Sequence, residues 1–354
     1  MKILMLTSYY YPRVGGVEKY VKKIADELKK RGYEIKIITK LYRNDLKEKE
    51  IVDGIEIRRV NFSGLLYIWK MWLYLWKNRK LLIEADAIHC HDVSTFYWYL
   101  PFRFLFWKKP VFITYYGYEK IPVPKGNILL RRISKLLTTS QINGGRYLEK
   151  YYKIKCDYVI YAATDIKLPK KEKILKRKNR IVYIGRLEKD TGVEGYIKAL
   201  KILKEKYKIN LQMDIYGEGS LRKQLEKLVK RDKLNVIFHG AVENASQHFK
   251  EVKFAFSTSP MATVEAMASR CLVFSLCENQ ITKDLLIDLT QKKNIIVIAS
   301  SPEELAQRFY VFYHNQKIAE NIISDAYKFA QKLTWEKMAK VFIEMYENFK
   351  SENS

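Results

Sequence analysis

Cysteine is scarce in this chain, with four residues in 354: Cys90, Cys156, Cys271 and Cys277. None pairs with another at a metal-binding spacing and each sits in an apolar or strand-like stretch. Reduced, buried thiols in a cytosolic setting are therefore expected, rather than a disulfide framework or a cysteine metal site. Long apolar runs are absent too. No stretch of about 18 uncharged apolar residues occurs, so no bilayer span is expected, and the opening MKILMLTSYYYP turns polar too soon for a signal peptide. Internal repeats and low-complexity segments are also missing. Carboxylates are outnumbered: 39 Asp and Glu face 65 Lys and Arg, a formal net charge of +26. Such an excess fits an anionic membrane, nucleic acid, phosphate-bearing ligands or simply a lysine-rich solvated surface. No nucleic-acid recognition module accompanies it, so nucleic acid is not an expected partner. With 48% hydrophobic and 29% charged residues the chain is a folded one, and its length suits two domains with separate cores.

The densest pattern runs from Ile181 to Phe274. Ile181–Ile184 is a short apolar run closed by Gly185-Arg186, and Gly192 precedes a helical pattern through Tyr196, Ala199 and Leu200. Leu211–Tyr216 is the next strand; Gly217-Glu218-Gly219-Ser220 then turns into a helix over Leu221–Arg231, with Ser220 as its expected N-cap. Val236–Phe238 and Phe254–Ser257 are further strands, and Glu265–Ala268 is expected to start a helix. Alternation of this kind predicts a parallel sheet covered by helices on both faces. Ligands of such sheets collect at the carboxyl ends of the strands, where Arg186, Gly217, Glu218, Gly219 and Glu265 fall.

The amino-terminal part reads similarly. Lys2–Ser8 is a buried strand, Gly15-Gly16 permits a close backbone turn, and Val17–Arg31 carries Val17, Tyr20, Val21, Ile24 and Leu28 on one helical face. Glu34–Thr39 is the second strand and Ile51–Val60 a hairpin around Asp53-Gly54. A strand over 85–92 ends in His89-Cys90-His91. Two histidines at that spacing share a strand face, but no third metal ligand is near, and no metal is expected. Val111–Thr114 and Leu136–Ser140 are further strands, and the Lys-rich stretch Lys167–Arg180 is the expected interdomain linker. Five of the six tryptophans crowd into SGLLYIWKMWLYLWKNRK and FYWYLPFRFLFWKK. Rings edged by lysines suit a membrane interface, although part of this surface is expected to be core. Trp69, Trp72 and Trp76 form one ridge if Tyr67–Asn78 is helical.

The order strand-GR-L, YGEGS-helix, V-F-G-V and VEAMA resembles the donor-binding half of glycosyltransferase family 4, retaining enzymes of the GT-B fold that use nucleotide-diphosphate sugars. The β-loop-Gly15-Gly16-α-β opening and the His89-Cys90-His91 segment resemble its acceptor-side half. The resemblance implies two Rossmann-like parallel-sheet α/β domains facing a central cleft: an acceptor-side domain over 1–170, a donor-binding domain over 171–334, and a C-terminal helix over 335–354 crossing back to the first. It further implies a nucleotide-sugar donor, a glycan or lipid-linked acceptor, and no metal or other cofactor; the thiols and the aromatic, lysine-edged segments suggest work in the cytoplasm, with the inner membrane face as a candidate surface. Gly15 and Gly16 would approach the donor phosphates and sugar, Arg186 would bridge phosphate oxygens, and Gly217, Glu218 and Gly219 would lie along the base. Glu265 would hold the ribose hydroxyls and His91 would be a polar, catalytic contact beside the reacting carbon.

Several positions depart from the family pattern. Thr191 stands where a lysine is usual, so the second phosphate cation is missing or comes from Lys189. Ser257, eight residues before Glu265, stands where the first of two paired glutamates is usual, and Tyr116-Gly117 replaces His-Gly. Helix N-termini at Gly192 and Glu265 are expected to add partial positive charge, and Arg270 another cation. Two function classes therefore stay open: a retaining glycosyltransferase, and a non-catalytic protein of the same fold that binds nucleotide sugar or a partner enzyme.

Overall fold

The computed structural model describes residues 1–61, 66–168 and 178–353. It divides into two compact units, Met1–Tyr161 with the C-terminal helix, and Ala162–Thr334. The boundary expected at 170–171, most of the expected linker and residues 63–65 of the first aromatic segment lie outside the described residues. The end of that linker is strand, since pairing begins at Lys178.

In the first unit the strands are β1 (Lys2–Thr7), β2 (Glu34–Lys40), β3 (Lys49–Val52), β4 (Ile55–Val60), β5 (Ala87–His91), β6 (Val111–Tyr115), β7 (Ser140–Asn143) and β8 (Tyr158–Val159). They pair in the order β3-β4-β2-β1-β5-β6-β7-β8, and every pair is parallel except β3 with β4. The β3–β4 hairpin turns at Asp53 and Gly54, both at positive φ, the backbone that a two-residue hairpin of matching twist requires. The helices of this unit are α1 (Gly16–Lys30), α2 (Tyr67–Lys77), α3 (Arg79–Glu84), α4 (Val93–Leu105), α5 (Lys125–Leu136) and α6 (Tyr147–Tyr152). In α1 the buried stripe is Tyr20, Val21, Ile24, Ala25 and Leu28; Val17 lies in the first turn and is exposed.

The strand expected at Leu136–Ser140 is displaced: Leu136 ends α5 and pairing starts at Ser140. The run Leu-Leu-Thr-Thr is apolar and β-branched enough to suggest a strand. Leu136, however, is the exposed end of a helix whose spacing extends back to Lys125.

The second unit has β9 (Lys178–Ile184), β10 (Gln212–Tyr216), β11 (Val236–Gly240), β12 (Val252–Phe256), β13 (Leu272–Leu276) and β14 (Val297–Ala299), all parallel in the order β11-β10-β9-β12-β13-β14. Its helices are α7 (Val193–Glu205), α8 (Arg222–Arg231), α9 (Pro260–Ala268), α10 (Gln280–Leu289), α11 (Pro302–His314) and α12 (Gln316–Ala330). Its core is built on Ile181, Tyr196, Leu200, Met213, Ile215, Phe256, Phe274 and Phe309. The last helix, α13 (Trp335–Asn353), belongs to the first unit, where it packs on α1 and β8. Among the described residues no helix is long and apolar enough to cross a membrane.

Both sheets reverse direction at their middle. β1 lies between β2 and β5, and β9 lies between β10 and β12. A crevice opens at the carboxyl ends of two neighbouring strands wherever the winding reverses in this way. Those ends are Thr7 and His91 in the first unit, and Ile184 and Phe256 in the second.

Candidate active site

In the second unit, loops 185–187 and 217–219 press backbone on backbone. Gly217 N donates to Gly240 O at 2.7 Å, Leu187 N to Glu218 O at 3.0 Å, and Gly185 N to Tyr216 O at 3.1 Å. A Cβ at Gly217 would stand 1.8 Å from Gly185 O, and one at Gly219 2.4 Å from Leu187 O. Gly217 also holds φ +154. Only glycine satisfies both the contact and the backbone angle.

On this platform Arg186 is exposed, its guanidinium 2.7 Å from Asp190 Oδ2. Lys189 is exposed in the turn Lys189–Thr191, and α7 begins just after Gly192. Thr191 does not present its hydroxyl outward: Oγ1 donates to Glu188 O at 2.7 Å and lies 3.0 Å from Arg186 O. Thr258 Oγ1 donates to Thr191 O at 3.1 Å, which ties the loop after β12 to the loop after β9.

Ser220 is not an N-cap. Its N–H and hydroxyl donate to Glu188 at 2.9 and 2.5 Å, and α8 starts two residues later at Arg222. The same two bonds hold the Glu188 carboxyl below its ordinary range. The cap position falls on Leu221, and Ser220, one residue before it, gives both its donors to the charged acceptor Glu188. Glu218 is exposed and paired with Arg222 at 2.9 Å.

The expectation for Glu265 needs correcting in one respect. The helix starts at Pro260, so Glu265 lies on its inner turns and is 6% exposed; Pro260 has no N–H, Thr263 N donates to Ser259 O at 2.9 Å, and the first-turn N–H groups left are those of Met261 and Ala262. Pro260 at the first helical position sets that start. Ser257, in the place of the usual glutamate, is 1% exposed; Thr263 Oγ1 lies 3.2 Å from its hydroxyl, and Ser275 Oγ donates to its carbonyl at 2.6 Å. Arg270 is a packing residue rather than a free cation, its guanidinium 4.3 Å over the Tyr327 ring.

In the first unit Gly15 is extended at φ −170 and Gly16 opens α1. A Cβ on Gly15 would stand 2.1 Å from Glu18 Oε2, so the Glu18 carboxylate folds back over this loop, where Arg13 meets it at 3.3 Å. An acid here complements the positive end of α1.

His89 and His91 point to one side of β5 and stack at 4.5 Å with planes 3° apart. His89 Nδ1 lies 2.5 Å from Tyr346 Oη and its Nε2 2.8 Å from Thr114 Oγ1. Both ring nitrogens are thus occupied, and among the described residues no three groups gather as a metal site. His91 Nδ1 lies 2.7 Å from Tyr116 Oη, whereas its Nε2 is buried without a partner. Burial pushes the His91 imidazole down to about 3 and His89 well below its ordinary value, so both are neutral rings. Tyr116 and Glu188 were not among the candidates, because Tyr116 marks only a departure from His-Gly and Glu188 carries no pattern of its own.

Each half of the chain is matched by a glycosyltransferase family model. "Glycosyltransferase Family 4" matches residues 14–166 and "Glycosyl transferases group 1" residues 165–329, one model per half. The chain belongs to the family 4-like glycosyltransferases. An uncharacterized glycosyltransferase of Methanocaldococcus jannaschii is 25% identical over 399 residues, covering 98% of each chain. The sucrose-phosphate synthase of Thermosynechococcus elongatus superposes with a TM-score of 0.81 at 15% identity, over 99% of each chain. Anabaena HepE, solved with UDP and glucose, does so with a TM-score of 0.75 at 16% identity, over 98% of this chain and 100% of that one. These likenesses establish the GT-B fold of two parallel-sheet, Rossmann-like domains.

Proposed function

We propose that this family member transfers a sugar from a nucleoside diphosphate donor to a glycan or lipid-linked acceptor, with retention and without a metal ion. One observation carries the proposal: the exposed guanidinium of Arg186 stands on a glycine-locked platform at the reversal point of the second sheet. A leaving diphosphate needs cations and N–H groups fixed before the reaction, and a platform that cannot relax supplies them. Arg186 would exchange Asp190 for phosphate oxygens, with Lys189 adding a second charge in place of the missing lysine at Thr191. Gly217–Gly219 would flank the base and Glu265 the ribose. The acceptor oxygen would form its bond to the anomeric carbon on the face from which the diphosphate departs, and the departing phosphate oxygen would take the acceptor proton. His91 would contact the sugar, and Gly15 and Gly16 the phosphates.

The acceptor side is proposed to rest on an anionic membrane facing the cytoplasm. Leu66, Trp69, Leu73 and Trp76 lie on one exposed face around α2, with Lys70, Lys77, Arg79 and Lys80 beside them. Phe104 and Trp107 add exposed rings by α4, which packs against α2. Rings with flanking cations match a polar–apolar boundary of negative charge.

The buried Ser257 and the inward hydroxyl of Thr191 favour the second reading, a binder without turnover. A thermal-shift scan of nucleotide sugars, followed by product analysis with the donor that binds, separates the two. A ligand at 100 times its Kd stabilises by about 2.7 kcal/mol. Retained anomeric configuration in a released product supports transfer; tight binding with no product supports the binder; no shift with any donor sinks both.

A further inference from the structure

We infer that Tyr116 is a positioning residue for His91: its hydroxyl donates to Nδ1 and so presents Nε2–H as a fixed hydrogen-bond donor. The inference deepens the proposed function and rests on it only for the ligand. The pairing is close, at 2.7 Å, and the two rings lie nearly parallel, 18° apart with centroids at 5.9 Å. A neutral imidazole carries one proton, on either nitrogen. A phenol is the stronger acid and an imidazole nitrogen the stronger acceptor, so O–H···N is favoured over N–H···O. Burial raises the Tyr116 hydroxyl above its ordinary value, which keeps that proton on the phenol. Among the described residues the Tyr116 hydroxyl bonds only to His91.

The remainder of the environment holds the ring still. His89 stacks on one face of the ring and is itself pinned by Tyr346 and Thr114. The Tyr20 ring braces Tyr116 at 5.3 Å, and Trp335 braces Tyr20 at 5.1 Å. His91 is therefore a ring with one nitrogen assigned and the other, Nε2, unpaired. The group that suits it is a ligand oxygen that accepts a hydrogen bond, a sugar hydroxyl being the class that the proposed donor offers. It also follows that His91 orients its ligand and does not remove a proton from it.

The decisive experiment is a long-range 1H–15N spectrum of the full chain labelled at histidine, with the His91 signals assigned by their loss in His91→Gln. With five histidines in the chain the spectrum is sparse. The expected result near pH 7 is an unprotonated Nδ1 and a protonated Nε2. In Tyr116→Phe the Nδ1 line should move to the position of a nitrogen that accepts no hydrogen bond, with both tautomers populated. An Nδ1-protonated wild type overturns the inference, and so does a Tyr116→Phe spectrum identical to wild type. Should Tyr116→Phe not fold, the wild-type tautomer still decides. Kinetics with the donor found by thermal shift give a second reading: kcat should fall about tenfold with little change in KM, and a rise in KM alone would overturn the positioning role. The Nε2–H tautomer in a protein that turns over no donor would support this inference while counting against sugar transfer.

Discussion

The two units solve the same problem, placing polar groups at the reversal point of a parallel sheet, by opposite means. In the second unit the site is local. Loops 185–192 and 217–220 are laced by main-chain bonds, and their charges stand exposed as Arg186–Asp190 and Glu218–Arg222 pairs. In the first unit it is assembled from far apart in the chain: His89 and His91 from β5, Thr114 from β6, Tyr116 from the loop after it, and Tyr346 from the C-terminal helix. The charges of the second site are open to solvent and exchangeable, whereas the rings of the first are buried and neutral. A phosphate cradle must trade one anion for another, so exposed ion pairs that individually contribute little are suited to it. A group that orients a sugar must keep its geometry, so burial suits that one.

That contrast can be broken most severely with acid. Both stacked imidazoles stay neutral in the native protein, His91 down to about 3, while in an unfolded chain each takes up a proton near pH 6.5. The unfolded state then binds more protons, so their contribution is complete above about pH 6.5 and is lost as pH falls toward 3. His91 should cost about 1.4 kcal/mol per pH unit across that window, and His89 acts in the same direction. Urea melts from pH 8 to 4 should show His91→Gln with the shallower acid limb; equal limbs would mean the ring is not held neutral.

Breaking the platform of the second unit comes next. Gly217→Ala forces a Cβ against Gly185 O at a backbone angle that L residues avoid. A loss of about 3 kcal/mol is expected, read as a fall in urea midpoint. A loss under about 0.5 kcal/mol would show that the two loops can part. Arg186→Ala should leave the fold alone and weaken nucleoside diphosphate binding tenfold or more, since a charge-assisted hydrogen bond contributes about 1.5–3 kcal/mol. Nucleoside binding should hardly change. Equal losses for both ligands, by calorimetry, would remove Arg186 from the phosphate site.

The smallest effect on stability concerns the exposed rings. The structure divides the expected tryptophan ridge: Trp69 and Trp76 are 63% and 52% exposed, whereas Trp72 is half-buried and donates through Nε1 to Tyr97 O at 3.0 Å. Trp69→Ser with Trp76→Ser should shift stability by less than about 0.5 kcal/mol. It should also lower the salt-resistant part of binding to anionic vesicles in a co-sedimentation assay. The lysine part should fade as salt rises, at about 1 kcal/mol per residue near the surface. A wild type that ignores anionic vesicles would end the membrane proposal.

Much of this was readable in advance, for a physical reason. Parallel strands buried on both faces leave continuous apolar runs, and the turns between them need glycine where backbones touch, so β9, β10, the GEG turn and both sheets were legible. Tight local geometry writes itself into local sequence. Element ends were less legible, since α8 starts at Arg222, beyond a cap at Ser220, and Pro260 moved the start of α9 ahead of Glu265. Among the aromatic residues, composition alone revealed that Trp69 to Trp107 form a cluster with lysines, but only packing decided that Phe96, Trp98 and Phe102 are core while Trp69, Trp76, Phe104 and Trp107 face solvent. The His89–His91 stack and its tyrosine partners belong wholly to tertiary structure. Tyr346 is 257 residues from His89, and no pattern along a chain records which hydroxyl will meet which ring nitrogen once distant strands and helices are folded together.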